Sequence, residues 1–308
     1  MKTTYISILV ATAMLFVSCG SDDGNSAEVN DGRVLFSSGG NTTKVGGTDG
    51  DQWEGNENIG IYMVGNTDQA IKEGAKNIQY TTASGGASVS FTPANNMETI
   101  YYPVDAAQKV DFIAYHPYNT SVSNYIYPVD VSNQSNQSAL DLMRAVANNS
   151  GAGYDKTQGS NNIKLVFDHR LTKVIFNVEP GEGLVQADLN NMTVTIKELP
   201  TKADYVIDTD NLTPDVTSIK GIMTKPTTAG SFYEAIVIPT SFAADEVTVE
   251  FALNNAPKNE VFVYKVPATN FLAGEKHTFN VKVQRTKVEV TGTIDPWETG
   301  AISPGTAK

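Results

Sequence analysis

Three histidines and one acidic loop are the side chains whose chemistry could support a reaction or bind a metal. The histidines, His116, His169 and His277, stand far apart in the sequence, each in a stretch with strand character. Histidine is a common general base and metal ligand. An isolated histidine in a strand, however, is more often a packed or surface residue. The sequence contains no phosphate-binding glycine loop, no His-Glu-x-x-His and no Gly-x-Ser-x-Gly. We therefore predict no catalytic residue and no enzyme.

The loop from Asp49 to Asn58 carries several carboxylate and amide oxygens, the ligands that Ca²⁺ prefers. Its spacing does not follow the calcium loop that ends in a bidentate glutamate. A solvated turn is the favoured interpretation, with calcium binding as the alternative, so no metal and no cofactor is predicted. Asp208 and Asp210 lie in a turn-like stretch that gives no indication of a glycosidase carboxylate pair.

The chain has one cysteine, Cys19, which follows Lys2 and an apolar run from Tyr5 to Val17. A basic start, a short apolar run and small residues at its end are typical of a secretory signal peptide, here residues 1–18. The run is shorter than the ~20 apolar residues of a membrane span. Phe16-Val17-Ser18-Cys19 resembles a bacterial lipobox, and this resemblance implies cleavage before Cys19 and an N-terminal lipid on its sulfur. The alternative is an ordinary signal peptide with an incidental cysteine.

Residues 19–33 are predicted to form a flexible tether, because this polar stretch has too little apolar surface to bury. Asp22 and Asp23 resemble the acidic signal that sends some lipoproteins to the outer face of the outer membrane. A soluble linker is the alternative interpretation of the same residues.

Arg33 stands between the tether and the first predicted strand, residues 34–38. The alternation of that strand places Val34 and Phe36 on one face and Leu35 on the other. An arginine between a flexible segment and a strand is accessible to a trypsin-like protease. Arg33 is therefore the candidate processing residue.

Composition limits the partners and the number of domains. The 308 residues are 40% hydrophobic, enough for one or two domains with a real core. With 22 basic and 34 acidic residues the net charge is −12, which repels phosphate backbones, so nucleic acid is excluded as a partner. The single cysteine rules out an internal disulfide, so stability must come from packing.

Short strands separated by Gly, Asn and Pro are predicted along the rest of the chain, one of them over residues 99–103. The Asn-, Gln- and Ser-rich stretch from residue 132 to 150 is expected to be a surface loop or to contain a helical turn. Val247, Val249, Phe251 and Leu253 alternate with polar residues, and so do Phe279, Val281 and Val283. Half-polar alternation favours antiparallel sheets with one solvated face. The sequence Glu179-Pro180-Gly181-Glu182-Gly183 is the strongest boundary signal. We therefore predict an all-β fold with an N-terminal domain over residues 34–180 and a C-terminal domain over 181–308.

Five short segments occur in an order that characterises one protein family. They are Trp53 with the turn into Ile59–Met63, Tyr101–Pro103, Val110–Tyr118, Phe167–Val174 and Pro296–Glu298. Together with the lipobox, this set resembles the fimbrillin-like proteins, subunits of lipoprotein-derived (type V) pili. The resemblance covers most of the chain. It implies two transthyretin-like β-sandwich domains of mainly antiparallel strands.

The resemblance also implies a mode of assembly. The subunit reaches the outer membrane as a lipoprotein through Cys19, and an Arg-specific protease cuts at Arg33. This cut removes the tether and, in some members of the family, the first strand. The groove that the first strand leaves then accepts a strand from another pilus subunit. Val288, Val290 and Ile294 of the C-terminal strand have the spacing to fill such a groove. In the monomer we expect this strand to complete its own domain.

Two functional hypotheses follow from the sequence. The first is a fimbrillin-like structural subunit of a pilus, used in cell adhesion and assembled by strand exchange after proteolytic processing. The alternative is a surface lipoprotein that does not polymerise and binds a glycan or protein on a host or bacterial surface. This alternative predicts exposed aromatic residues, with Trp53 and the tyrosines as candidates.

Overall fold

The computed structural model describes residues 31–39, 52–95, 98–157, 162–255, 258–285 and 287–297. The predicted signal peptide, Cys19 and the tether as far as residue 30 lie outside the described residues. All of the strands belong to one compact unit, Gly32–Lys308. Across the described ranges, no helix has the length and apolar character that a membrane crossing requires.

The strands and the short helix follow one another in chain order. They are β1 (Leu35–Ser38), β2 (Asn58–Gly65), β3 (Ile78–Thr82), β4 (Ser90–Pro93), β5 (Val110–His116), β6 (Ile126–Asp130), β7 (Met143–Ala147), β8 (Asn162–Leu165), β9 (Asp168–His169), β10 (Thr172–Pro180), α1 (Gln186–Leu189), β11 (Met192–Pro200), β12 (Lys202–Val206), β13 (Asn211–Pro214), β14 (Ile219–Met223), β15 (Lys225–Thr228), β16 (Phe232–Val237), β17 (Thr240–Phe242), β18 (Thr248–Asn255), β19 (Lys258–Lys265), β20 (Thr269–Phe271), β21 (Glu275–Gln284) and β22 (Lys287–Pro296).

The first half of the chain forms an eight-stranded sheet in the order β8-β1-β4-β3-β2-β5-β7-β9. β1 lies second from one edge, antiparallel to β4 and parallel to β8. As predicted, Val34 and Phe36 are both buried, whereas Leu35 is 48% exposed. The buried face of this sheet holds a first core that includes Trp53 and Phe112. β1 is therefore a core strand and not a loosely attached edge piece.

The second half forms two further sheets with a common core. The five-stranded sheet has the order β15-β16-β10-β21-β22, and the four-stranded sheet has the order β14-β11-β18-β19. Phe176 of β10 meets Phe251 of β18 edge to face, with ring centroids 5.9 Å apart. Val249, Phe251 and Leu253 are all buried, so the period-two prediction for β18 is confirmed. The fold is all-β, and most of its strand pairs are antiparallel.

A three-stranded sheet, β13-β12-β6, joins residues from the two halves of the sequence. β6 pairs with β12 over five positions. Tyr62 and Tyr115 of the first sheet share a hydrophobic cluster with Tyr127 of β6 and Tyr205 of β12. β10, which ends at Pro180 as the boundary signal predicts, pairs with β16 and β21. The division into domains at residue 180 stays a prediction.

Two local predictions were wrong. The Asn-, Gln- and Ser-rich stretch from residue 132 to 150, expected to be a loop or a helical turn, contains the strand β7. Its residues Met143, Ala145 and Ala147 alternate into the core. Residues 99–103, expected to be a strand, form only an isolated bridge between Arg33 and Tyr101. The ladder does not extend past this bridge at Ile100, because the Ile100 N–H donates to the Tyr80 hydroxyl and not to the first strand.

Candidate functional site

Arg33 lies at the surface immediately before the buried part of the first strand. Its side chain is exposed, while the backbone on both sides of it is hydrogen-bonded. The Val34 N–H donates to the Ile100 carbonyl over 2.9 Å, and the Tyr102 N–H donates to the Gly32 carbonyl over 2.8 Å. Arg33 is thus presented outward on an extended segment. Such a segment can offer its side chain to a protease once the backbone opens.

β1 fills a slot in the middle of the first core. The ring of Phe36 makes edge-to-face contacts with Tyr80 and Phe112, both with centroids 5.2 Å apart. At the end of the strand, the Ser38 hydroxyl accepts a hydrogen bond from the Val89 N–H over 2.9 Å. The strand therefore contributes both apolar volume and ladder hydrogen bonds. Its departure would leave an apolar groove between two unpaired strand edges.

Tyr80 binds Ile100, the residue that lies beside the start of β1. Its hydroxyl accepts a hydrogen bond from the Ile100 N–H over 3.0 Å, and the Ile100 carbonyl in turn binds Val34. Burial raises the pKa of Tyr80 to about 12, so the hydroxyl keeps its proton at neutral pH. The same side chain contacts Phe36 through its ring and supports the start of β1 through its hydroxyl.

The C-terminal strand β22 completes the five-stranded sheet in the monomer. It pairs with β21 over ten positions, as predicted. Val288 and Val290 are half-buried against the core, whereas Ile294 is 59% exposed. β22 is an edge strand with β21 as its ladder neighbour. Among the described strands, β22 therefore has one edge without a ladder partner in its sheet, and β19 lies at a sheet edge in the same way.

Two histidines that lie far apart in the sequence meet at one buried residue, Asp141. His169 Nδ1 is 2.6 Å from Asp141 Oδ1, and His116 Nδ1 is 3.0 Å from the Asp141 carbonyl oxygen. The ring of His169 stacks on Trp297, and that of His116 lies edge to face with Trp53. Sequence reasoning missed Asp141, whose only local signal is a charged residue between two leucines.

The third histidine, His277, lies in β21. Its Nε2 is 3.1 Å from Glu275 Oε2, and its ring meets Phe271 at 4.7 Å. Burial lowers the pKa of His277, and this effect outweighs the opposing one of Glu275. The side chain is 1% exposed, too deep for a substrate to reach.

Neither a metal site nor an aromatic platform is evident in the described part of the chain. No group of three or more metal-binding side chains lies together there. The start of the acidic loop, residues 49–51, lies outside that part. Trp53 and Trp297 are 1% and 4% exposed, so neither offers a face to a glycan. Among the candidate tyrosines, Tyr101 is exposed, at 47%, next to Arg33.

A cleft of about 270 Å³ opens beside β12 and β13. Its polar side chains already bind one another: the Arg170 Nε and the Tyr205 hydroxyl each donate to Asp210 Oδ1 over 2.6 Å. Burial and Asp210 raise the pKa of Tyr205. Asp210 also lies 3.6 Å from the Arg144 guanidinium. These contacts tie β12 to the first sheet and favour a structural role.

Comparison with known proteins adds independent information. Residues 43–297 match the family model described as fimbrillin-like. Over 306 residues the chain is 33% identical to a Bacteroides uniformis protein named "Putative fimbrium subunit Fim1C", covering 97% of this chain and 96% of that protein.

Two crystal structures, each described as that of a "putative cell adhesion protein", are also similar. One, from Bacteroides uniformis, is 31% identical with a TM-score of 0.72, and the match covers 86% of this chain and 97% of that chain. The other, from Bacteroides ovatus, is 20% identical with a TM-score of 0.63, and the match covers 87% of this chain and 99% of that chain. At this lower identity the second likeness concerns the fold alone.

Proposed function

Because the chain belongs to the fimbrillin-like family, we propose that it is a structural subunit of a fimbrium and serves in cell adhesion. It carries no catalytic role in this proposal. The subunit is delivered to the outer membrane as a lipoprotein, with Cys19 as the lipid-bearing residue, and becomes part of a cell-surface appendage after processing. Its partners are other subunits of the same fibre.

The position of β1 carries the proposal. The strand begins two residues after an exposed arginine, and it fills a slot between β4 and β8. A cut after Arg33 separates β1 from the tether but leaves the strand attached to the rest of the chain. Exchange then requires β1 to slide out of its slot, so that a strand from another subunit can enter.

β22 is the proposed donor strand, because its apolar residues repeat with the period that the slot requires. In the slot, Val34 and Phe36 supply the buried side chains. In β22, Val288, Val290 and Ile294 lie on one face. Each fully buried aliphatic side chain stabilises by roughly 1.5–3 kcal/mol, before the cost of ordering the strand. Repeated along a fibre, such contacts support a durable polymer.

An Arg-specific protease acting on the purified, unlipidated chain (Cys19→Ala) tests this function. Cleavage after Arg33 should convert the monomer into a ladder of oligomers that resist detergent. The mass of the product identifies the cut, since Arg285 is also exposed. Arg144 and Arg170 are more protected, with side chains 12% and 16% exposed.

The matched control is Arg33→Lys, which keeps the positive charge but removes the arginine that the protease recognises. This variant should stay monomeric under the same treatment. A chain that is fully cut after Arg33 and still remains monomeric at high concentration would contradict strand exchange. It would favour the alternative of a surface lipoprotein that binds a ligand without polymerising.

A further inference from the structure

Trp297 anchors the end of β22 in a buried position. Its ring stacks on the His169 ring with centroids 4.0 Å apart and 2° between the planes. The Trp297 backbone N–H donates to the Gly274 carbonyl over 2.7 Å. The ammonium group of Lys173 lies 5.9 Å from the centre of the Trp297 ring. The end of the C-terminal strand is thus held by stacking, by a backbone hydrogen bond and by a nearby cation.

Asp141 holds the His169 ring in place through the Nδ1 atom of the ring. Its side chain is 0% exposed and binds His169 Nδ1 over 2.6 Å. His169 belongs to β9 at the edge of the first sheet, and Asp141 precedes β7, the strand that pairs with β9. A buried carboxylate bound to one ring nitrogen fixes the orientation of the imidazole. Trp297 therefore connects the last strand to the eight-stranded sheet.

The rest of this end of β22 contributes little burial. Gly292 has no side chain, and Ile294 is 59% exposed. The strand has a ladder partner, β21, along one edge. Trp297 directly follows β22. Among the described residues after Val290 it is the deeply buried one, at 4% exposure. Hence this half of the strand is held by its ladder with β21 and by the Trp297 contact.

We propose that Trp297, His169 and Asp141 form a latch that keeps β22 in its own sheet until the subunit assembles. The latch rests on the proposed strand exchange, in which β22 is the donor. While the latch is closed, β22 completes its own sheet and is withheld from the slot of a second subunit. When the stack opens, the half of β22 beyond Val290 is freed first, because beside its ladder with β21 it has few buried side chains.

Hydrogen exchange of the full unlipidated chain (Cys19→Ala), followed by mass spectrometry, tests the latch directly. Trp297→Ala should speed amide exchange in β22 at least tenfold and leave β10 and β16 unchanged. His169→Asn removes the same stack from the other side and should have the same local effect. It gives an independent result if Trp297→Ala fails to fold.

Ile294→Ala is the matched control, since it alters the same strand without touching the latch. It should leave the exchange of β22 unchanged. Unchanged β22 exchange in Trp297→Ala and His169→Asn would overturn the proposal. An equal rise in every strand of the sheet would also overturn it, because it would mean a general loss of stability.

Assembly after cleavage at Arg33 separates the latch from the proposed function. Faster growth of oligomers in Trp297→Ala than in the unsubstituted chain supports both proposals. Faster exchange confined to β22, with no oligomers from either protein, supports the latch and overturns strand exchange. Oligomers from both proteins, with unchanged exchange in β22, support strand exchange and overturn the latch.

Discussion

At the scale of single residues, His277 makes stability depend on pH. Its pKa is lowered in the folded chain, chiefly by burial, whereas the unfolded chain keeps the ordinary value near 6.5. Below that pH the unfolded state binds more protons than the folded state, so the free energy of unfolding falls as the pH falls. Above it both states hold the neutral ring, and this contribution is fully present.

Replacing His277 should therefore flatten the acid side of the stability profile. In His277→Gln, the free energy of unfolding from urea titrations should fall less steeply between about pH 6.5 and pH 5. Glu275→Gln is the informative companion, because it removes the group that opposes the shift and should steepen the same slope. Identical slopes in the unsubstituted chain, His277→Gln and Glu275→Gln would show that His277 does not control the stability in this pH range.

Phe36 should account for much of the stability that β1 contributes. Phe36→Ala removes a ring that packs on Tyr80 and Phe112, and such truncations cost about 3–5 kcal/mol. The neighbouring Leu35→Ala, at a residue 48% exposed, should cost about 1 kcal/mol or less. Urea unfolding of both variants checks the difference. Equal costs would mean that β1 is not packed as described.

Sequence alone could not place the contacts of Asp141. Its partner His169 is 28 positions away, and the two meet only because β7 and β9 pair at the edge of a sheet. By contrast, the burial of Val34 and Phe36 follows from strand alternation, which is a local property of the chain. Cys19 and Arg33 stay predictions, and they could be made from sequence because processing signals are short local segments.

At the scale of elements, the predictability of a strand depends on its residues. β18 was found because Val249, Phe251 and Leu253 are strong strand formers in strict alternation. β7 has the same alternation, but two of its three buried residues, Ala145 and Ala147, are weak strand formers. Its place in the sheet comes from pairing with β5 and β9, which no local pattern contains.

Locking β22 to β21 should prevent assembly. Thr278 and Thr293 lie opposite each other in the two strands, so Thr278→Cys with Thr293→Cys offers a disulfide across the pair in the unlipidated Cys19→Ala chain. After cleavage at Arg33, the oxidised protein should remain monomeric, and adding a reductant should restore oligomers, as seen on detergent gels. Each single cysteine variant is the control. Oligomers from the fully oxidised protein would exclude β22 as the donor strand.

At the scale of the whole molecule, net charge should control how fast subunits meet. The full chain carries a formal charge of −12, and cleavage after Arg33 removes two basic and four acidic residues, which leaves −10, so two cleaved subunits repel each other. The Debye length falls from about 30 Å at 0.01 M salt to about 8 Å at 0.15 M, which screens this repulsion. Cleaved subunits should therefore polymerise faster at the higher salt concentration, as followed by light scattering. Slower growth on adding salt would indicate that complementary charges steer the encounter.

The mixed pairing of β1 would give the proposed strand exchange a direction. β1 runs antiparallel to β4 on one side and parallel to β8 on the other. The two kinds of ladder have different hydrogen-bond patterns, so a strand inserted the opposite way would mismatch both neighbours. A replacement strand must run as β1 runs, and every joint in a fibre then has the same orientation. Such a fibre is polar: one end presents an open slot, the other a donor strand, and the two ends need not grow at the same rate.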